Sequence, residues 1–330
     1  MKDEHIKQRP TGRKAFPWGT LLKVGVTVVG LAIVIGSIDL RELGQTLRQA
    51  SWIWILVGFI LTMASYWLRS VRWLILLRGL GAQLSLGRLL ELYLIGGFFN
   101  ALLPSGFGGD VVRAVEAAQD TPPEVAVGTV FVVRLSRLMG LFFMALVALI
   151  WRPASFPDTL ALQIGVICLL GLIIGLFLLE GSLLLRLSYW LPGPLKRLGH
   201  GLIQKILAAV QECGWRSVAG ALAVSLLFNL LLIGWWTAGA RALDLPVTFG
   251  HHFLIVPIWS IALLVPSIGG LGVREMMAPT LYGALGLSAT EAVALTLLVF
   301  GIERFSSLVG APVYILSTLR PGREAVESRK

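Results

Sequence analysis

The chain has 330 residues, of which 56% are hydrophobic and only 14% charged, with a formal net charge of +10 and a mean hydropathy of +0.81. Average soluble domains carry roughly 25% charged residues, so this chain lacks the polar surface to keep a folded body of its size in water. A helical crossing takes about 20 mostly apolar residues, which leaves room for roughly six to nine crossings and excludes a pair of ordinary soluble domains. The expected class is an all-α polytopic membrane protein.

In chain order, residues 1–19 form a basic tail carrying Lys2, Lys7, Arg9, Arg13 and Lys14, and apolar runs follow at about 20–38, 52–68, 122–150, 159–180, 217–238 and 289–318. The first run lacks a small-residue exit and reads as an uncleaved span rather than a signal peptide. Two shorter runs, 89–103 and 253–268, end in Pro and Gly. Connections 69–88 (Arg69, Arg72, Arg78, Arg88) and 181–216 (Arg186, Lys196, Arg197, Lys205, Arg216) are basic, as is the tail 319–330. Segments 39–51, 151–158 and 239–252 carry one or two basic residues each. The positive-inside rule puts the basic segments and both termini in the cytoplasm, where they meet anionic headgroups; the excess charge therefore does not imply nucleic acid. Trp18, Trp52, Trp67, Trp151, Trp190 and Trp215 fall near run ends as interfacial anchors. Segment 181–216 repeats Leu195, Leu198, Leu202, Ile206 and Val210 between basic residues, the pattern of an interfacial amphipathic helix. Cys168 and Cys213 make no disulfide framework, and the adjacent His251 and His252 are poor grounds for a metal site.

Parity constrains the short runs. If 89–103 crossed fully, the basic 181–216 loop would lie outside; if it dips in and returns, every basic loop stays inside. The same reasoning makes 253–268 a dip from the opposite face. Six full spans and two re-entrant helical hairpins result.

The hairpins resemble each other. The first reads Leu103-Pro104-Ser105-Gly106-Phe107-Gly108-Gly109-Asp110-Val111-Val112-Arg113 and the second Val265-Pro266-Ser267-Ile268-Gly269-Gly270-Leu271-Gly272-Val273-Arg274. Each precedes a capping-box pattern, Thr121-Pro-Pro-Glu124 and Ser288-Ala-Thr-Glu291. Each then leads to a related helix core, Arg134-Leu-Ser-Arg137 and Arg304-Phe-Ser-Ser307. The expected single transmembrane domain, 20–318, thus holds an inverted repeat with halves at about 89–150 and 253–318, the arrangement of alternating-access transporters.

A Pro/Gly break inside a bilayer leaves backbone groups that only protein or a water-filled cavity can satisfy. Such breaks either line a ligand, with Asp110 as N-cap of the returning helix, or are structural turns. Intramembrane arginines are the stronger signal, since each costs about 2.5–3.5 kcal/mol near the bilayer centre. Arg134 falls roughly 18 Å from its helix start and Arg304 roughly 23 Å from its own, at 1.5 Å per residue in a 30 Å core. Arg113, Arg134, Arg137, Arg274 and Arg304 either bind an anionic group or pair with Glu91, Asp110, Glu275 and Glu303. Glu91 is also a candidate proton or cation site. No metalloprotease, nucleophile-elbow or P-loop motif is present, so no metal, cofactor or ATP-driven chemistry is expected.

At Asn100 to Arg113, Arg134, and Pro266 to Glu275, the chain resembles the membrane region of the lysyl-phosphatidylglycerol synthase/flippase family, including its small stand-alone flippase-like relatives. The resemblance covers about residues 20–318. It implies a bacterial inner-membrane protein that moves lipid between leaflets, with Arg113, Arg134, Arg274, Glu275 and Arg304 as the functional cluster. It does not imply synthase activity, because the aminoacyl-transferase domain of the larger members is not expected in the dozen residues after the last span. The function expected is translocation of a phosphate-bearing or polar-headgroup lipid, without catalysis. A membrane-embedded transferase using Glu91, Asp110 or Glu275, and a non-catalytic partner of lipid-modifying enzymes, are the alternatives; lipid-modifying enzymes or a second copy of the chain are the expected protein partners.

Overall fold

The computed structural model describes residues 18–102, 108–152, 156–180, 212–262, 267 and 270–319. All secondary structure among them is helical: α1 (Trp18–Ser37), α2 (Leu40–Arg48), α3 (Trp52–Gly79), α4 (Leu86–Leu102), α5 (Gly108–Ala117), α6 (Pro123–Ile150), α7 (Asp158–Glu180), α8 (Gly214–Ala242), α9 (Phe249–Ala262), α10 (Val273–Gly283), α11 (Ala289–Leu308) and α12 (Gly310–Thr318). Five are long and apolar enough to cross a membrane, α11 and α12 together counting as one, and the bent pair α1–α2 makes up to six. Pro104, Ser105, Pro266, Gly269 and the amphipathic stretch 181–211 lie outside the described residues.

Small residues set the packing. Between helices in lipid there is little hydrophobic drive, so association relies on close van der Waals approach at Gly, Ala and Ser. Along the α3–α8 seam Gly58 meets Ala238, Leu61 meets Gly234, Ile75 meets Gly220, and Gly79 meets Cys213 and Ser217, an antiparallel register. On α6 and α7, Leu149 meets Gly165, Phe142 meets Gly171 and Met139 meets Gly175, again antiparallel. Ser136 and Arg137 of α6 bond Ser225 and Asn229 of α8 in parallel register. Gly58 against Ile302 and Tyr66 against Ser307 make α3 and α11 parallel. Helices α3, α7 and α11 therefore run one way and α6 and α8 the other, which agrees with the directions deduced from loop charge. The faces turned away from these seams stay apolar and exposed, as at Ile33, Ile60, Leu162, Leu169, Leu170 and Leu176.

The first hairpin is visible as close contact. Gly96 and Asn100 of α4 lie against Arg113 and Gly109 of α5, an antiparallel pair in which any Cβ on Gly109 would run into the Gly96 carbonyl. Arg88, at the start of α4, holds Asp120 at 3.0 Å, Glu91 at 3.2 Å and Glu116 at 3.6 Å. These ion pairs tie the start of α4 to the last turn of α5 and the residues after it. At the other end of the molecule, His252 at the start of α9 packs 6.0 Å from the Tyr282 ring near the end of α10 and 6.3 Å from Trp236 of α8. α1 crosses the second hairpin where Gly30 meets Gly272; Gly272 has φ +84 and lies against the Thr27 carbonyl, so only glycine fits.

Several expectations are corrected. The run 52–68 does not end at Arg69: α3 continues to Gly79, which moves Arg69 and Arg72 from a cytoplasmic loop into the helix and leaves Trp67 mid-helix rather than at a span end. Segment 39–51 is mostly an amphipathic helix, bent 93° from α1 and capped by Asp39, which accepts from the N–H groups of Arg41 and Glu42. Thr121 does not cap α6; the cap residue is Pro122, and Pro123 fills the first helical position. At Ser288 the capping box does form: Ser288 Oγ accepts from the Glu291 N–H at 3.2 Å and the Glu291 carboxylate from the Ser288 N–H at 2.8 Å. His251 and His252, expected at the end of the connection 239–252, are buried in α9; His252 Nδ1 is 3.1 Å from the Thr237 hydroxyl.

Candidate functional site: an arginine-lined cavity between the hairpins

A cavity of about 270 Å³ lies where α3, α4, α5, α6, α8 and α11 converge. The first hairpin contributes Gly96, Gly97, Asn100, Gly109, Asp110 and Arg113, and the second contributes Ser260, Ser267 and Gly270. Six arginines line it, Arg69, Arg72, Arg113, Arg134, Arg137 and Arg304, with two carboxylates, Asp110 and Glu303. Tyr66, Tyr93 and Trp235 add amphipathic faces, and Thr62 and Ser307 add hydroxyls.

Helical spacing explains how α3 supplies its share. Thr62, Tyr66, Arg69 and Arg72 recur at three or four residues and so share one face. The Arg69 guanidinium stands 4.9 Å from the Phe228 ring centroid and 5.1 Å from Tyr66. Arg72 is 2% exposed; its Nη1 donates to Ser225 Oγ at 3.1 Å, and Phe228 covers it at 5.5 Å. Neither has a carboxylate at ion-pair distance among the described residues. Such stacking is worth about 0.5–2 kcal/mol, less than the cost of an intramembrane arginine, so the rings only partly offset these charges.

The two acids are already engaged. Asp110 does not N-cap α5: it is the helix's third residue, and its carboxylate bridges Arg113 on its own helix and Arg134 on α6. Arg113 is 4% exposed, clamped between that carboxylate and the Tyr93 ring at 4.0 Å. Glu303 lies 3.4 Å from Arg274. Arg304 donates from Nη1 to the Asn100 carbonyl at 3.0 Å, tying α11 to the end of α4, and stacks 4.6 Å from Phe300. Arg137, one turn after Arg134, faces the same space and has no ion pair among the described residues.

The structure thus brings Arg113, Arg134, Arg137 and Arg304 together with Gly109, Asp110, Ser267, Gly270 and Glu303, while Gly108 is buried at the start of α5. It does not bring all the candidates there. Arg274 reaches the cavity only through Glu303. Glu275 is fully buried and turned into its own helix start, where its carboxylate accepts from the Gly272 N–H at 2.6 Å. Glu91 belongs to the Arg88 cluster at the base of the first hairpin. Arg69, Arg72 and Tyr66 were not singled out by sequence; the polar stripe on α3 is the signal that marks them.

A UPF0104 membrane protein from Archaeoglobus fulgidus is 24% identical to the chain over 161 residues, 49% of this chain and 48% of that protein. The chain spans about half the length of the curated relative it matches. Over residues 20–310 the sequence matches the family described as the lysylphosphatidylglycerol synthase TM region, and the chain belongs to that family.

Proposed function

We propose that this protein is a lipid translocase, moving a phosphate-bearing or polar-headgroup lipid between leaflets of a bacterial inner membrane, with both termini in the cytoplasm. One observation carries the reading: a cavity lined by arginines from several long apolar helices, with a wall from each of two helical hairpins. Charges in such a place are costly and mark a ligand path. A headgroup would sit among the guanidiniums while its acyl chains stay in the bilayer.

Alternating access follows from an inverted repeat. The series α3–α4–α5–α6 and α8–α9–α10–α11/α12 have the same order, with lengths of 28, 17, 10 and 28 residues against 29, 14, 11 and 30, and the antiparallel run of α3 against α8 fits inversion. Reading both hairpins as re-entrant from opposite faces places the cavity between two gates. The ion pairs Asp110–Arg134 and Arg274–Glu303 each tie a hairpin's second helix to the following span, as latches would.

The test is purified protein in liposomes carrying labelled anionic, zwitterionic and cationic lipids, with leaflet occupancy followed under pH and ion gradients. Transport should appear for at least one lipid and fall when Arg134 or Arg304 becomes Gln. Lipids that stay in their leaflets under every gradient end this reading, and new lipid products in their place would make the protein a transferase.

A further inference from the structure

Six guanidiniums against two carboxylates leave four positive charges in excess around the cavity. Counting Arg274, which lies outside the lining but pairs with Glu303, raises the excess to five. Residues 103–107 and 263–269 contain no Asp or Glu, so neither stretch adds a carboxylate. Arg69 Nε, Arg72 Nε, Arg113 Nη1 and Arg304 Nε are buried without an acceptor among the described residues. Aromatic side chains cover these groups and satisfy their N–H donors only weakly, and buried donors without acceptors cost about 1–3 kcal/mol each, more when charged.

We infer that the cavity is built for a headgroup ending in a phosphomonoester or diphosphate, with two charges or more, rather than for a phosphodiester, zwitterionic or aminoacylated one. The inference rests on the cavity being the headgroup site. A phosphodiester brings one negative charge. A phosphomonoester brings about 1.5 to 2 near neutral pH, and three terminal oxygens, enough to accept from several planar guanidinium forks at once. An aminoacylated headgroup would instead place an ammonium among arginines, with both nearby carboxylates already occupied.

The test is competition against radiolabelled dioleoyl phosphatidic acid bound to the full chain in phosphatidylcholine nanodiscs at pH 8. Unlabelled phosphatidic acid and farnesyl diphosphate should compete at concentrations at least about tenfold below dioleoyl phosphatidylglycerol, the gain expected from one added charge-assisted hydrogen bond, with lysyl-phosphatidylglycerol weaker still. Inorganic pyrophosphate separates the sources: competition equal to farnesyl diphosphate means the site reads the anion alone, and weaker competition means it reads a lipid. Arg137→Gln should weaken phosphatidic acid binding by about tenfold while the unfolding midpoint holds, since Arg137 forms no ion pair among the described residues; Arg304→Gln is the second variant. Equal or tighter competition by phosphatidylglycerol or lysyl-phosphatidylglycerol overturns the inference. Leaflet transport is scored separately: a polyanion preference without transport ends the translocase reading alone, and transport without that preference ends this inference alone.

Discussion

Replacing Asp110 with Asn removes the carboxylate that joins α5 to α6. Its two partners differ in burial: the Arg113 side chain is 5% exposed, Arg134 36%, and Asp110 itself 24%. Breaking a fully buried pair costs about 3–5 kcal/mol and an exposed one about 0–1. This site lies between those limits, so the expected loss is about 2–3 kcal/mol. The loss is lopsided, because Arg113 is nearly buried against Trp73 and Tyr93 while Arg134 is far more exposed. In purified protein followed by intrinsic tryptophan fluorescence, the apparent unfolding midpoint should fall by about 3–4 °C. Asp158→Asn is the comparison, since it removes an acid from the exposed Arg152–Asp158 pair, in which Asp158 is 85% exposed, and should shift the midpoint little. Equal midpoints for the two variants would refute the assignment of Asp110 as the buried bridge.

Gly109→Ala should lose about 1–3 kcal/mol through overpacking, because the new methyl meets the Gly96 carbonyl, whereas Gly283→Ala has open space and should be neutral or slightly stabilising; matched midpoints would dismiss the close hairpin contact. Ser288→Ala should cost about 1 kcal/mol and speed amide exchange at Glu291, while Thr121→Ala should cost little, since Thr121 caps nothing; a larger loss at Thr121 would contradict the helix start at Pro123. In a background without Cys168 and Cys213, Gln119→Cys should label only from the cytoplasm and Gly283→Cys only from outside. Labelling of both from one face would remove the opposed hairpins.

Much of this protein was legible residue by residue. Hydropathy is a local property, so span positions followed from it: 122–150 and 159–180 became Pro123–Ile150 and Asp158–Glu180 within a residue or so. The Gly-Gly pair at 108–109 stood out as part of a helix break, and its close contact with Gly96 came only from the tertiary structure. Ser288 and Glu291 identified a cap because both partners lie within one turn. Arg134 and Arg137 stood out because a charge inside an apolar run has few uses.

Other features depended on partners far away in sequence. A hydropathy scan ends a span at its first arginine, but α3 continues through Arg69 and Arg72 because Ser225 and the Phe228 ring on α8 receive them. Asp110 has the residue type and position of a helix cap, and only Arg134 on α6 turns it into a bridge. Arg274 and Glu275 are neighbours, yet helix geometry sends one toward Glu303 and the other back to Gly272. Composition and local pattern determined that the chain is a membrane protein, where its helices run and that its charges inside the bilayer are few. Tertiary structure alone decided which of those charges share a cavity, because a charge buried in lipid takes its meaning from what it faces across the helix seam.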